Sequence, residues 1–142
     1  RLAALATAAY AAPGFLAQRT PGRLLPEEDW IGFEDSLGHL LSADWLRRNV
    51  DGGRIVCRAN SLLALREAAR AGMGVAALPC YLADPDSDLR RIGGPIAEME
   101  VSLWLLTHPD LRRVARVRTV IDFLAEALAQ HRSLIEGRDS RE

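Results

Sequence analysis

Residues 54–83 read Arg54-Ile-Val-Cys-Arg-Ala-Asn60-Ser61-Leu-Leu-Ala-Leu-Arg-Glu-Ala-Ala-Arg-Ala-Gly72-Met-Gly74-Val-Ala-Ala-Leu-Pro79-Cys80-Tyr-Leu-Ala83. Polar and apolar side chains alternate over Arg54–Ala59, the pattern of a half-buried strand. Asn60 and Ser61 are preferred N-cap residues. Leu62–Ala71 is built from Leu, Ala, Arg and Glu, all good helix formers. Gly72 and Gly74 supply the stop, since glycine accepts the left-handed conformation of a helix C-terminus. Val75–Leu78 suits a buried strand, and Pro79 punctuates it before a new helix start at Cys80. Strand, helix and strand at this spacing predict a right-handed crossover with parallel strands. The helix N-terminus at Asn60-Ser61 then lies at the carboxyl end of the first strand, where open α/β sheets bind ligands.

Outward from this unit, the N-terminal side carries Trp30–Phe33, a short strand. Glu34-Asp35-Ser36 follows as a turn or helix start, and Ser42–Asn49 as a short helix capped by Ser42. Asp51-Gly52-Gly53 is a strong turn signal. Further back, Pro13 opens a short helix over Gly14–Arg19, and Thr20-Pro21-Gly22 is a turn. Arg1–Ala12 is alanine-rich, and propensity alone predicts a helix there. On the C-terminal side, Leu89–Ile92 is a short strand and Gly93-Gly94-Pro95 a break. Glu100–Thr107 reads as a strand buried on both faces. Arg112–His131 is the clearest helix, with Val114, Val117, Ile121, Leu124 and Leu128 along one stripe and an Arg118–Asp122 pair at i,i+4. The charged, aperiodic residues 134–142 predict a disordered tail.

The chain has 142 residues, 49% of them apolar, and a net charge of −1. That length fits one domain or two small lobes, and the charge makes no global case for nucleic-acid binding. All 18 basic residues are arginine, which, beside the abundant alanine, reads as a GC-rich coding bias rather than a phosphate-binding signature. Cys57 and Cys80 form no CxxC pair and have no His/Cys cluster beside them, so free thiols in a reducing compartment are the reading. No metal site or cofactor motif is visible, and no apolar run approaches the length that spans a membrane.

Chemistry-bearing candidates are few. His39, His108 and His131 are scattered. Glu34-Asp35 reads as a solvated carboxylate pair. Cys80, near a helix start, is a candidate nucleophile only if its pKa is lowered there. Asn60-Ser61 is a better candidate, because a side-chain amide, a hydroxyl and free backbone N–H groups gather at a helix N-terminus. That arrangement suits a carboxylate or another small anion. An ordinary N-cap explains the same residues.

Three segments in register carry a family resemblance. Tyr10-Ala-Ala-Pro-Gly-Phe-Leu resembles the Y-A-S-P-x-Y-L segment of LysR-type transcriptional regulators. Arg58-Ala-Asn-Ser61, followed by an Ala/Leu helix and then Gly72-Met-Gly-Val-Ala-Ala-Leu-Pro79, resembles their N-S … A-G-x-G-[IV]-A-x-L-P run. Leu103-Trp-Leu-Leu-Thr-His-Pro109, with Arg116-Val-Arg118 and Phe123-Leu124, resembles their closing strand and helix. The resemblance covers residues 1–128 and implies an effector-binding domain of the type 2 periplasmic-binding-protein fold, an α/β architecture of two lobes joined by crossover strands. It replaces the N-terminal helix with a first crossover strand over residues 1–10. Residues 11–92 become the second lobe, and residues 93–133 the crossover back and the closing helix of the first lobe. The rest of the first lobe, a linker helix and a winged helix-turn-helix are expected upstream of Arg1. The first lobe is therefore incomplete, and the apolar faces of Glu100–Thr107 and the last helix lack partners.

Carried over by position, the second-lobe wall of the cleft is Asn60 and Ser61, with Ala59 beside them and Phe33 at the end of its strand. The resemblance implies a small-molecule effector, no catalytic residue, no cofactor, and DNA contact only through the upstream domain. It also implies a cytoplasmic homo-oligomer without membrane contact. The alternatives are an exported solute-binding protein of the same fold and a small α/β enzyme using Cys80.

Overall fold

The computed structural model describes residues 1–139. The N-terminal segment is extended, as β1 (Ala3–Leu5) and β2 (Thr7–Ala11), with Ala6 alone between them. Tertiary pairing overrides alanine's helix propensity here: β1 pairs antiparallel with β7 (Val101–Leu103), and β2 lies between β5 (Ala76–Pro79) and β6 (Arg90–Ile92), antiparallel to both. Small side chains suit a central strand this crowded, and all five residues of β2 are buried.

β3 (Trp30–Phe33) and β4 (Ile55–Ala59) run parallel. A parallel bridge from Trp30 to Val75 joins β3 to the start of β5, through Ile31 N–H to Val75 O at 2.8 Å and Val75 N–H to Asp29 O at 2.8 Å. The strand order is thus β4-β3-β5-β2-β6. The crossover from β4 through α3 (Leu62–Arg70) to β5 joins strands of one direction, as its spacing predicts, with β3 inserted between them. Two glycines allow this packing. Gly72, at φ +77°, ends α3: its N–H reaches Ala69 O at 2.9 Å and Met73 N–H reaches Ala68 O at 3.1 Å, a Schellman closure. Gly74 lies against β3, where an added Cβ would sit 2.7 Å from Asp29 O.

The core fills the space around this sheet. Trp30 packs against Trp45 of α2 (Leu41–Asn49) with ring centroids 5.7 Å apart. Leu65 and Ala69 of α3 are buried, as are Ile31, Val75 and Leu78. Phe15 and Leu16 of α1 (Pro13–Ala17) pack on the edge of the core. Glu28 is a buried carboxylate, held by Arg19 Nε at 2.5 Å and by Arg23 at 3.9 Å.

Several expectations are corrected. Ser42 does not cap α2. The helix begins one residue earlier with Leu40 at the cap position, and no side chain bonds the cap. The strand expected over Glu100–Thr107 is regular only at Val101–Leu103 and is largely exposed, because β1 is its only ladder partner among the described residues. The last long helix, α5, runs Ala115–Gln130 after a 3-10 turn over Pro109–Arg113. No residue of α5 is buried. Disorder from residue 134 is overturned as far as 138, where Arg138 N–H closes the turn on Ser133 O. α6 (Arg132–Ile135) follows α5, and Ile135 and Gly137 are buried. Charge pattern missed this because one apolar side chain and one glycine make the contact. Residues 140–142 lie outside the described residues.

Candidate functional site

One edge of the sheet gathers the predicted site. β3, β4 and β5 share a direction, so their carboxyl ends lie together. The pairing of Thr7 with Pro79 brings the start of β2 to the same edge. Phe33 and Ala59 are opposite each other in the β3–β4 register, and Glu34 N–H donates to Ala59 O at 2.9 Å. Asn60 and Ser61 follow Ala59 directly and turn the chain into α3.

Ser61 is the cap. Its extended backbone (φ −152°, ψ 155°) lets Oγ accept from Ala64 N–H at 3.1 Å, while its carbonyl accepts from Leu65 N–H at 3.0 Å. The amides of Leu62 and Leu63, ahead of these bonds, have no intrahelical acceptor by helix geometry. Ser61 keeps its hydroxyl hydrogen for donation, since the cap uses only an oxygen lone pair. Asn60 is exposed. The edge therefore offers donors without a neighbouring carboxylate on α3's first turn, an arrangement that favours an anion or a carbonyl oxygen.

Phe33 faces a different space. It is buried and lines a depression of about 340 Å³ between α2 and the β3–β4 pair, floored by Ala43, Leu46, Val50 and Ile55. Asn60, Ser61 and Ala59 do not line it. The structure thus joins Asn60, Ser61 and Ala59 at the open edge and connects Phe33 to them only through the backbone. Arg58, also at the depression, donates from Nη1 to Phe33 O at 3.1 Å and carries further donors. Neither Arg58 nor Thr7 is among the site residues expected from sequence. Arg58 matched an ordinary polar strand position, and Thr7 is visible at the edge only through the β2–β5 register.

Cys80 is no activated nucleophile. It is fully buried at the start of α4 (Cys80–Ala83), and burial pushes its thiol up, opposing the thiolate that nucleophilic chemistry requires. Next to it, Tyr10 OH donates to Asp84 Oδ1 at 2.7 Å, and Arg91 Nε reaches the same oxygen at 3.1 Å. Burial also raises the Tyr10 phenol. Among the described residues no cluster of His, Cys, Asp and Glu could hold a metal ion, and no helix is long and apolar enough to cross a membrane.

This arrangement, a mixed sheet with parallel carboxyl ends at one edge and a two-stranded ribbon leaving from it, defines the class: a periplasmic-binding-protein-like α/β ligand-binding domain. The family follows from comparison. The LysR substrate binding domain model matches residues 1–129, and the chain belongs to that family. Its fold is similar to the regulatory domain of CrgA, a LysR-type transcriptional regulator from Neisseria meningitidis. That match has 24% identity and TM-score 0.59, over 89% of this chain and 66% of that one. It is also similar to the regulatory domain of AphB in Vibrio vulnificus, with 20% identity and TM-score 0.53, over 89% of this chain and 67% of that one. The chain thus spans about two thirds of the length of these solved relatives. No protein of curated function gave a significant match.

Proposed function

We propose that this domain senses a small-molecule effector for a bacterial LysR-type, DNA-binding transcription regulator, and that the effector docks on the edge formed by Ala59, Asn60 and Ser61. The observation that carries the site is the α3 N-terminus. Ser61 caps it with a lone pair, which leaves its hydroxyl hydrogen and the Leu62 and Leu63 amides at the carboxyl ends of β3 and β4. The ligand class is a small carboxylate, since these groups are donors at the positive end of a helix. Phe33 faces the neighbouring depression and joins this edge only through the β3–β4 backbone. Promoter contact belongs to a separate domain of the regulator, which works as a cytoplasmic homo-oligomer. Effector binding closes the cleft and shifts the population of the DNA-binding arrangement. The family match favours this reading over an exported solute-binding protein, and the buried, raised Cys80 thiol disfavours a cysteine enzyme.

The test is the full-length regulator with Asn60→Ala and Ser61→Ala, separately and together. Effector-dependent transcription should fall at least tenfold in the double variant with protein level unchanged. A response equal to wild type removes the site assignment. A thermal-shift screen of small carboxylates identifies the ligand, since saturation at 100 times Kd adds about 2.7 kcal/mol.

A further inference from the structure

The C-terminal turn, residues 135–138, is placed at the one point where a loose tail would not be expected. Ala6 is the single residue between β1, which among the described residues pairs only with β7, and β2, which belongs to the larger sheet. Any rotation of the β1–β7 ribbon against that sheet must turn about Ala6 and about the matching return at Met99–Glu100. Both backbone groups of Ala6 are held. Its carbonyl accepts from Cys80 N–H at 2.9 Å, on the sheet side, and its N–H donates to Ile135 O at 3.0 Å, on the tail.

Three further contacts fix the tail to the same place. Arg91 Nη1, from β6, donates to Gly137 O at 2.7 Å. Gly137, at φ +67°, lies so close that an added Cβ would be 2.8 Å from Cys80 Sγ, 3.1 Å from Pro95 Cγ and 3.2 Å from Ala6 Cβ. The turn is itself rigid: Gly137 N–H reaches Leu134 O at 3.2 Å and Arg138 N–H reaches Ser133 O at 2.8 Å, closing α6 in a Schellman motif. Ile135 is buried beneath it. The tail therefore bonds the hinge residue through Ile135 and the sheet through Gly137, while α6 packs against β1 and Glu136 lies at the Ala4 backbone, so it touches both bodies across the hinge.

We infer that residues 135–138 form a latch on the Ala6 hinge, which sets how freely the β1–β7 ribbon turns against the five-stranded sheet. The inference draws on the proposed function only for the expectation that the two bodies rotate when an effector binds. A latch of this kind makes rotation a two-position event: the Ala6–Ile135 and Arg91–Gly137 bonds are either both formed or both broken. It also gives the C-terminal end of the chain control over a cleft that it does not line.

The test needs no effector and uses the whole chain. Amide hydrogen exchange is measured at Ala6, with Ala77 and Leu78 of β5 as internal references. In the wild type the Ala6 amide should be protected. Gly137→Ala inserts a methyl group against Cys80 and should speed exchange at Ala6 at least tenfold while Ala77 and Leu78 keep their protection. A chain ending at Leu134 removes the tail without adding a clash and should do the same. Unchanged exchange at Ala6 in the shortened chain overturns the latch. An equal rise at Ala6 and in β5 in both variants also overturns it, because the tail would then support the whole domain rather than the hinge. Absence of any effector response in the wild-type regulator, with the latch signature intact, would instead count against the proposed function alone.

Discussion

At Ser61 one side chain serves two ends, and the two can be separated. Its Oγ bond to Ala64 N–H is a structural cap, so Ser61→Ala should cost about 1 kcal/mol of stability. Asn60 is exposed and is not part of that cap, so Asn60→Ala should stay within about 0.5 kcal/mol. Urea denaturation of the two variants checks this, and an effector defect in Asn60→Ala at unchanged stability isolates a contact role. Glu136 gives a pH prediction. Arg132 beside it, at 2.8 Å, then Arg138 and the Ala4 backbone hydrogen bond, holds its carboxyl below the usual carboxylate range. A lowered folded pKa means that the stabilisation is complete above the ordinary glutamate value and is lost as pH falls through the lower folded one. Thermal melts at decreasing pH should therefore show a loss in wild type that Glu136→Gln lacks, and added salt should shrink the difference because Arg132 is exposed. Sequence showed Ser61 as a cap because cap chemistry is local. It did not show that Ser42 fails to cap, since the first turn of α2 starts at Leu41 and places Ser42 inside the helix.

Elements bounded by glycine were the most readable, and the reason differs from one glycine to the next. Gly72 has open space around a hypothetical Cβ and matters through its φ of +77°. Gly72→Ala should cost about 1 kcal/mol, the conformational cost alone. Gly74 has no such angle, but its Cβ would meet the Asp29 carbonyl at 2.7 Å, a backbone atom within the link that joins β3 to β5. Gly74→Ala must move one of those strands and should be the costlier of the two, at about 2–3 kcal/mol. Equal losses in chemical denaturation would refute the distinction. Both glycines were visible as a helix stop; only the tertiary arrangement tells which one answers to conformation and which to packing. Strand order was hidden for the same reason. The β4–α3–β5 crossover is a local pattern, but the insertion of β3 between its strands depends on residues some twenty-five positions away. The extended N-terminus was not legible from propensity at all. Residues 1–11 are mostly alanine, and the ladders with β5, β6 and β7 decide their conformation.

Across the whole molecule the apolar surface is unevenly spent. The sheet and its helices bury theirs, whereas α5 buries no residue completely. Val120, Phe123 and Leu124 are exposed, Phe123 at 68%. Spaced three and four residues apart, these three side chains share one face of the helix, and the partial burial of Val117, Ile121 and Leu128 continues it. The stripe read from sequence, Val114, Val117, Ile121, Leu124 and Leu128, shares only Leu124 with these three; Val120 and Phe123 widen it, and the described residues leave that side uncovered. An uncovered stripe of this kind favours association. The prediction is that the chain self-associates with rising concentration and that Val120→Gln with Phe123→Gln reduces this. Glutamine keeps helix propensity near that of the good formers, and neither exposed side chain contributes to the core, so stability should change by less than about 0.5 kcal/mol. Sedimentation equilibrium of the two proteins decides it. A wild-type chain that stays monomeric over the accessible concentration range would show that this face needs no cover. Association unchanged in the double variant would move the contact elsewhere, with Trp104 and Leu106 beyond β7, both exposed, the next side chains to replace.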